Sequence, residues 1–98
     1  MHKLLIRPLA RNDIKNIWRY TYKNWGEQQA DNYTELLDLA IHEVLENPEM
    51  GISIEHIRKG YRLYHFKHHF VIYHLTSTVI DIVRVLGESM NIEHHLLK

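Results

Sequence analysis

Residues 60–86 read GYRLYHFKHHFVIYHLTSTVIDIVRVL, and this stretch decides the fold. Aromatic and β-branched residues are concentrated in three runs, which are separated by the short breaks Lys67-His68 and Thr76-Ser77. Runs of this composition with breaks of two residues are typical of strands joined by tight turns. We therefore predict an antiparallel meander whose three strands cover residues 61–66, 69–75 and 78–86.

The last of these strands is apolar on both faces apart from Asp81 and Arg84. A strand of this kind favours an inner position in the sheet, with another layer of structure covering it. Upstream, apolar residues recur every three to four positions and predict two helices. The first helix, for which Asn12 or Asp13 is a possible cap, is expected from Asp13 to about Asn24, and the second from beyond Gly26 to about Asn47. Two amphipathic helices joined at one glycine bury their apolar stripes by folding into a hairpin.

Three less regular segments complete the chain. The run before Pro8 is short and β-leaning, and because proline removes a ladder donor, this strand ends there or lies at a sheet edge. The segment Glu49–Gly60 has no periodicity and is predicted to be a loop. The tail, Met90–Leu97, has too few apolar residues to be a core element and is expected to form a helical turn that either docks lightly on the sheet or is displayed for a partner. The prediction is thus one α+β domain over residues 1–98: N-terminal strand, helical hairpin, three-stranded meander and short helical tail.

Composition excludes several classes of protein. Twelve Lys and Arg residues balance twelve Asp and Glu residues, so no net charge draws the chain to nucleic acid or anionic lipid. The absence of cysteine excludes disulfides and thiolate metal sites, and fits a cytoplasmic protein. No stretch approaches the roughly 18 apolar residues needed to cross a bilayer. We expect an untargeted, soluble protein without a membrane partner.

The histidines are the first candidate for chemistry. His65, His68 and His69 lie close together in sequence, and His94 and His95 are adjacent in the tail. His65, His68 and His69 fall on a strand, a turn and the next strand, where the alternation of side chains points their imidazoles in different directions. No carboxylate stands beside them in the sequence to complete a set of metal ligands. We therefore predict no metal site.

Two strand arginines are the second candidate. Arg62 and Arg84 either pair with a carboxylate, for which Glu55, Glu88 and Asp81 are the candidates, or contact a partner. The sequence contains no glycine-rich phosphate loop, suitably spaced carboxylate pair or Ser/His/Asp arrangement. An arginine beside Tyr61 and Tyr64 could hold a phosphate, as a nuclease requires, but the rest of such a site is not recognisable. We therefore assign no catalytic residue and no cofactor.

Aromatic side chains of the first helix form a third group. Trp18, Tyr22 and Trp25 make a stripe for which packing inside the fold is the favoured explanation. Tyr20 and Trp25, however, stand in a register that prevents both from being buried against one sheet. At least one of these two rings is expected to be partly exposed.

Several short motifs follow one another in a specific order. They are Trp25-Gly26, QA-x-x-Y at 29–33, P-x-x-G at 48–51, GYR at 60–62, HFVIY at 69–73 and RVL-x-x-SM-N at 84–91. With this order, the chain from about Leu9 to Leu96 resembles the ParE toxins of the RelE/ParE toxin–antitoxin superfamily. The helical hairpin on a small antiparallel sheet that the family implies agrees with the fold predicted above.

The resemblance implies a function that involves no catalysis. ParE-like toxins bind DNA gyrase and stabilise its cleaved-DNA complex, and a ParD-like antitoxin silences them in a hetero-oligomer. The RelE branch instead cuts mRNA at the ribosome, which requires cations and an acid/base group on the sheet. A neutral chain with no tyrosine after Arg84 fits that activity poorly, and sequence-specific nucleic-acid binding is not expected. The mRNA endoribonuclease, or a degenerate non-toxic module that only binds antitoxin, remains the alternative.

Candidate contact residues are chosen by their position in the predicted fold. An antitoxin helix is expected in a groove of the helical hairpin, whose candidate residues are Ile17, Tyr20, Trp25, Tyr33 and Leu37. The candidate contacts to the target are Arg62, Arg84, Met90, Asn91 and His94. The resemblance favours display of the tail for the target; the alternative is that Ile92 and Leu96 fasten the tail to the sheet. His69 and Tyr73 match the family's histidine and tyrosine and are expected to be structural, whereas Gly87 replaces a histidine that many ParE-like sequences carry.

Overall fold

A computed structural model describes residues 1–96 and confirms the α+β class, with two helices packed on one face of a five-stranded sheet. The elements in chain order are β1 (Lys3–Ile6), α1 (Pro8–Trp25), α2 (Glu27–Glu46), β2 (Ile52–Ser53), β3 (Tyr61–Phe66), β4 (His69–Leu75), β5 (Val79–Gly87) and α3 (Ile92–Leu96). No helix in this part of the chain is long and apolar enough to cross a membrane.

The sheet has the strand order β1-β5-β4-β3-β2. The predicted meander of β3, β4 and β5 is confirmed as antiparallel, and β5 has a neighbour on both sides, as its apolar sequence indicated. β1 is an edge strand and pairs with β5 in parallel. The segment predicted as a loop, Glu49–Gly60, contains the two-residue strand β2 paired with β3. A strand this short leaves no detectable periodicity in a sequence.

Helix α1 begins five residues earlier than predicted. Asp13 does not cap it; Arg7, with extended backbone at φ −67° and ψ 154°, precedes the helix and Pro8 occupies its first turn. Proline suits that position because its fixed φ is helical and the first turn has no partner for the missing N–H. At the other end, Gly26 takes φ +94° between the two helices, a conformation that favours glycine.

Two apolar clusters occupy the two faces of the sheet, as alternation of strand side chains requires. The cluster beneath the helices is built mainly from Leu37, Ile41, Val44, Val71, Tyr73, Ile80, Ile82 and Val85. In β5 the register shifts: Arg84 pairs with Ile72 and Ile82 with Tyr73, which leaves Val83 as the extra residue of a β-bulge. The bulge lets both Ile82 and Val85 face the helices.

The opposite face is covered by the residues before β3 and by α3. Its cluster contains Ile54, Tyr61, Leu63, Ile72, Val83, Leu86 and Leu96. Leu96 is only 4% exposed, and the Arg58 side chain donates a hydrogen bond of 2.8 Å to its carbonyl. The display of the tail that the resemblance favours is therefore wrong for α3. The alternative, in which Ile92 and Leu96 fasten α3 to the sheet, is confirmed. Leu97, the last residue of the predicted tail, lies outside the described residues.

Candidate partner-binding surfaces

The tip of the helical hairpin carries two exposed aromatic rings. Tyr20 and Trp25 are each 64% exposed, and their ring centroids lie 6.1 Å apart in an edge-to-face arrangement. The expectation that at least one would be exposed is confirmed, and both are. The expectation that the Trp18, Tyr22 and Trp25 stripe packs inside the fold is wrong for Tyr22 and Trp25, which are exposed. Trp18 stacks on Tyr22, with the ring centroids 5.1 Å apart.

Beside these rings lies a cavity of about 550 Å³ between the hairpin and the β3–β4 turn. Its walls are formed by Tyr20, Thr21, Trp25, Gln29, Tyr33, Lys67, His68 and His69. Aromatic rings with polar groups at the margin suit an amphipathic segment, which buries its apolar side and keeps its polar side in water.

A hydrogen bond joins the helical and sheet walls of this cavity. The Tyr33 hydroxyl lies 2.7 Å from Nδ1 of His69, and the Tyr33 ring packs edge-on against Phe66. Burial lowers the pKa of His69 below its usual 6.5, because a charged imidazole loses hydration there. Burial likewise raises the pKa of Tyr33 above 10. Near neutral pH the pair is uncharged and holds the hairpin against β4.

The five residues assigned to the groove from sequence divide into two sets. Tyr20, Trp25 and Tyr33 line the cavity. Ile17 and Leu37 lie in the core beneath it, where they support the helices and are not available to a partner. The walls formed by Thr21, Gln29 and residues 67–69 were missed, because sequence does not indicate which turn of the sheet returns to the hairpin tip.

Arg84 is engaged inside the fold. Its guanidinium donates two hydrogen bonds, of 2.8 and 2.9 Å, to the carboxylate of Asp13. None of the three carboxylates considered from sequence is its partner; Asp81 pairs instead with Arg7 at 2.7 Å. Asp13 also accepts the backbone N–H of Val85 at 3.0 Å. Because β1 ends at Ile6, this part of β5 has no strand beside it, and Asp13 satisfies the edge in its place.

Arg62 is likewise committed to a structural contact. Its Nη2 donates to the backbone carbonyls of Glu49 and Gly51, and no carboxylate partner is seen in residues 1–96. The buried Tyr73 hydroxyl donates to the carbonyl of Pro48 at 2.6 Å and accepts the Gly51 N–H at 3.1 Å. A Cβ at Gly51 would stand 2.7 Å from that hydroxyl, so only glycine fits. The P-x-x-G motif is therefore a loop fastened to the sheet.

The histidines of the β3–β4 hairpin share a carboxylate that sequence distance conceals. Glu88, at the exit of β5, accepts hydrogen bonds from Nε2 of His65 at 2.9 Å and Nδ1 of His68 at 3.2 Å. The expectation that no carboxylate lies beside these histidines is wrong. The bonds from His68 and His65 lower the pKa of Glu88. Within residues 1–96, no group of three or more His, Asp or Glu side chains is arranged to hold a metal ion.

The segment after β5 exposes three of the residues assigned to the target. Met90 is 41% exposed, and Asn91 and His94 are exposed as well. The Asn91 side-chain oxygen accepts the His94 N–H at 2.9 Å and so caps the start of α3. A Cβ at Gly87 would meet Met90 at ordinary contact distance, 3.6 Å, so the missing side chain there reflects no steric demand.

Comparisons with known proteins agree on one family. Residues 4–92 match the family described as the ParE toxin of the type II toxin–antitoxin system parDE. Toxin ParE1 of Mycobacterium tuberculosis is 36% identical over 95 residues, which cover 96% of this chain and 97% of the relative. Toxin ParE1 of Caulobacter vibrioides is 38% identical over 87 residues, 89% of this chain and 90% of the relative. A solved structure of the chromosomal ParDE TA system from P. aeruginosa has a similar fold, with a TM-score of 0.78 at 16% identity over 89% of this chain and 96% of that one.

Proposed function

Because this chain belongs to the ParE toxins of type II toxin–antitoxin systems, we propose that it binds DNA gyrase in the cytoplasm and stabilises the cleaved-DNA complex. A ParD-like antitoxin silences it by forming a hetero-oligomer. The toxin acts by binding and not by catalysis, and it uses no metal or cofactor.

The observation that carries the antitoxin site is the exposure of Tyr20 and Trp25 beside a cavity. Large aromatic rings exposed together are costly in water and are common anchors of protein interfaces. An amphipathic antitoxin helix placed here buries both rings and reaches Tyr33 at the cavity wall. Ile17 and Leu37 contribute by holding the two helices beneath the groove.

Target contact is assigned to the surface after β5, where Met90, Asn91 and His94 are exposed. Arg62 and Arg84, which are also candidates from their sequence positions, hold the P-x-x-G loop and the edge of β5 instead. The same engagement argues against the mRNA endoribonuclease, because neither sheet arginine is free to hold a scissile phosphate.

A supercoiling assay with purified gyrase tests the target. We expect the chain to convert closed circular DNA into linear, protein-linked DNA in a dose-dependent manner, and to leave mRNA intact in a translating extract. Met90→Ala with His94→Ala is expected to reduce this activity, whereas Leu39→Ala, an exposed residue of α2, serves as the matched control. Specific mRNA cleavage together with unaffected gyrase would replace the gyrase assignment by the endoribonuclease.

A further inference from the structure

A second cavity adjoins the aromatic cavity at the hairpin tip. This neighbouring cavity, of about 750 Å³, is lined by Trp25, Glu27, Gln28, Gln29, Asp31, Asn32 and Glu35. Trp25 and Gln29 belong to the walls of both cavities. The two cavities therefore adjoin at these two residues, and together they are here named the Trp25 groove.

The two ends of the Trp25 groove carry opposite charges. At the sheet end, Lys67 lies 6.0 Å from the Phe66 ring and makes no ion pair with any described residue. The nearby carboxylate of Glu88 is already shared by two histidines. At the helical end, Glu27 and Glu35 make no ion pair among residues 1–96, while Asp31 accepts the Trp18 N–H.

Unpaired charges at fixed positions beside an apolar surface select partners by complementarity. We propose that the Trp25 groove binds an amphipathic protein segment that places a carboxylate at Lys67, an apolar side chain on Trp25 and a cation at Glu27 and Glu35. This inference rests on the proposed antitoxin site and specifies its partner chemistry, including which charged end of the segment lies at the sheet. A nucleic acid does not fit, because the acidic end repels a phosphate backbone.

Three synthetic helical peptides of 16 residues test the charge pattern on the full chain. All three share a centre of Leu and Phe residues. The Glu/Lys peptide has one acidic and one basic end, the Lys/Lys peptide has two basic ends, and the Glu/Glu peptide has two acidic ends. Each variant changes the charge at only one end of the Trp25 groove. The expected preference is therefore the same whichever terminus of a peptide lies at Lys67. The toxin variants are Lys67→Glu and the double variant Glu27→Lys with Glu35→Lys, and the control is Lys59→Glu, an exposed lysine outside both cavities.

Wild type and the Lys59→Glu control are expected to bind the Glu/Lys peptide most tightly. Lys67→Glu should prefer the Lys/Lys peptide, and the Glu27→Lys, Glu35→Lys double variant should prefer the Glu/Glu peptide. The affinity ratios should shift roughly five- to tenfold because an attraction becomes a repulsion. Circular dichroism confirms that each surface variant is folded.

The same peptide order for wild type and Lys67→Glu, or binding by none of the three peptides, overturns the charge-ended groove. The gyrase assay is independent of this result. If the preferences switch but gyrase is unaffected, the target assignment fails and the groove stands. If gyrase is poisoned but the preferences do not switch, only the partner chemistry fails.

Discussion

The body of the sheet and the tip of the helical hairpin use similar residue types in opposite ways. In the body, charged Arg84 and Asp13 lie inside, at 16% and 12% side-chain exposure, and the phenol of Tyr73 is fully buried. At the tip, the rings of Tyr20 and Trp25 are mostly in water.

Residue type alone therefore does not indicate which residues meet a partner. A largely buried arginine with two hydrogen bonds to a carboxylate contributes to stability, and loss of either partner leaves an uncompensated charge. An exposed ring contributes little to stability and is free to serve an interface. Substitutions in the body should therefore lower the free energy of unfolding, whereas substitutions at the tip should change binding alone.

The largest effect is expected in the core beneath the helices. Leu37→Ala should lower the free energy of unfolding by about 4 kcal/mol, because it removes a fully buried side chain and leaves a cavity. Leu39→Ala, two residues along α2 but 58% exposed, should cost less than about 0.5 kcal/mol. Urea denaturation measures both, and equal losses would contradict the placement of Leu37 in the core.

A second large effect is expected at the open edge of β5. Asp13→Ala should lower the free energy of unfolding by about 3 kcal/mol, because it leaves the Arg84 charge without a partner and removes the acceptor of the Val85 N–H. The control is Asp38→Ala, which breaks only an exposed contact with His42 and should be nearly neutral. If Asp13→Ala were as mild as its control, Arg84 would be free for a partner and the comparison would fail.

A smaller loss of stability is expected on the face of the sheet that α3 covers. Leu96→Ala is expected to cost about 2 kcal/mol, because the side chain is buried but belongs to a short terminal helix that can readjust. Thermal and urea unfolding of the full-length variant measure the loss. No loss would mean that α3 is displayed and not docked.

Much of the fold could be predicted from periodicity and turn residues. The meander, the hairpin and the edge position of β1 follow from local patterns that tertiary structure did not override. The start of α1 was missed because Asp13 resembles a cap, and nothing local shows that its carboxylate is needed 71 residues away at Arg84. The candidate site is also formed by residues that are far apart in sequence. The positions of Lys67 and Glu88 beside it could therefore not be predicted from local patterns.

A smaller effect is expected from pH at the junction of body and tip. The pKa of His69 is lowered below 6.5 in the folded state, so the unfolded chain binds this proton more readily. The stability from neutral His69 is present above pH 6.5 and is lost as pH falls through 6.5 toward the folded-state pKa. The lowered pKa of Glu88 acts in the same direction, but only below about 4.5.

His69→Gln isolates this contribution. Between pH 7.5 and 5.5, wild type should lose more free energy of unfolding than the variant, because glutamine does not titrate in this range. The other histidines are common to both proteins and cancel in the difference. Identical pH profiles would show that His69 is not buried against Tyr33.

Calorimetric titration of the antitoxin into the Trp25→Ala variant tests whether the exposed hairpin tip binds the antitoxin. We expect affinity to fall more than tenfold, a loss of about 1.4 kcal/mol or more. Urea denaturation should give this variant a free energy of unfolding within about 0.5 kcal/mol of wild type. Leu39→Ala, equally on the hairpin and exposed but outside the Trp25 groove, should bind as wild type does. Unchanged affinity of Trp25→Ala, or an equal loss in Leu39→Ala, would place the antitoxin interface elsewhere.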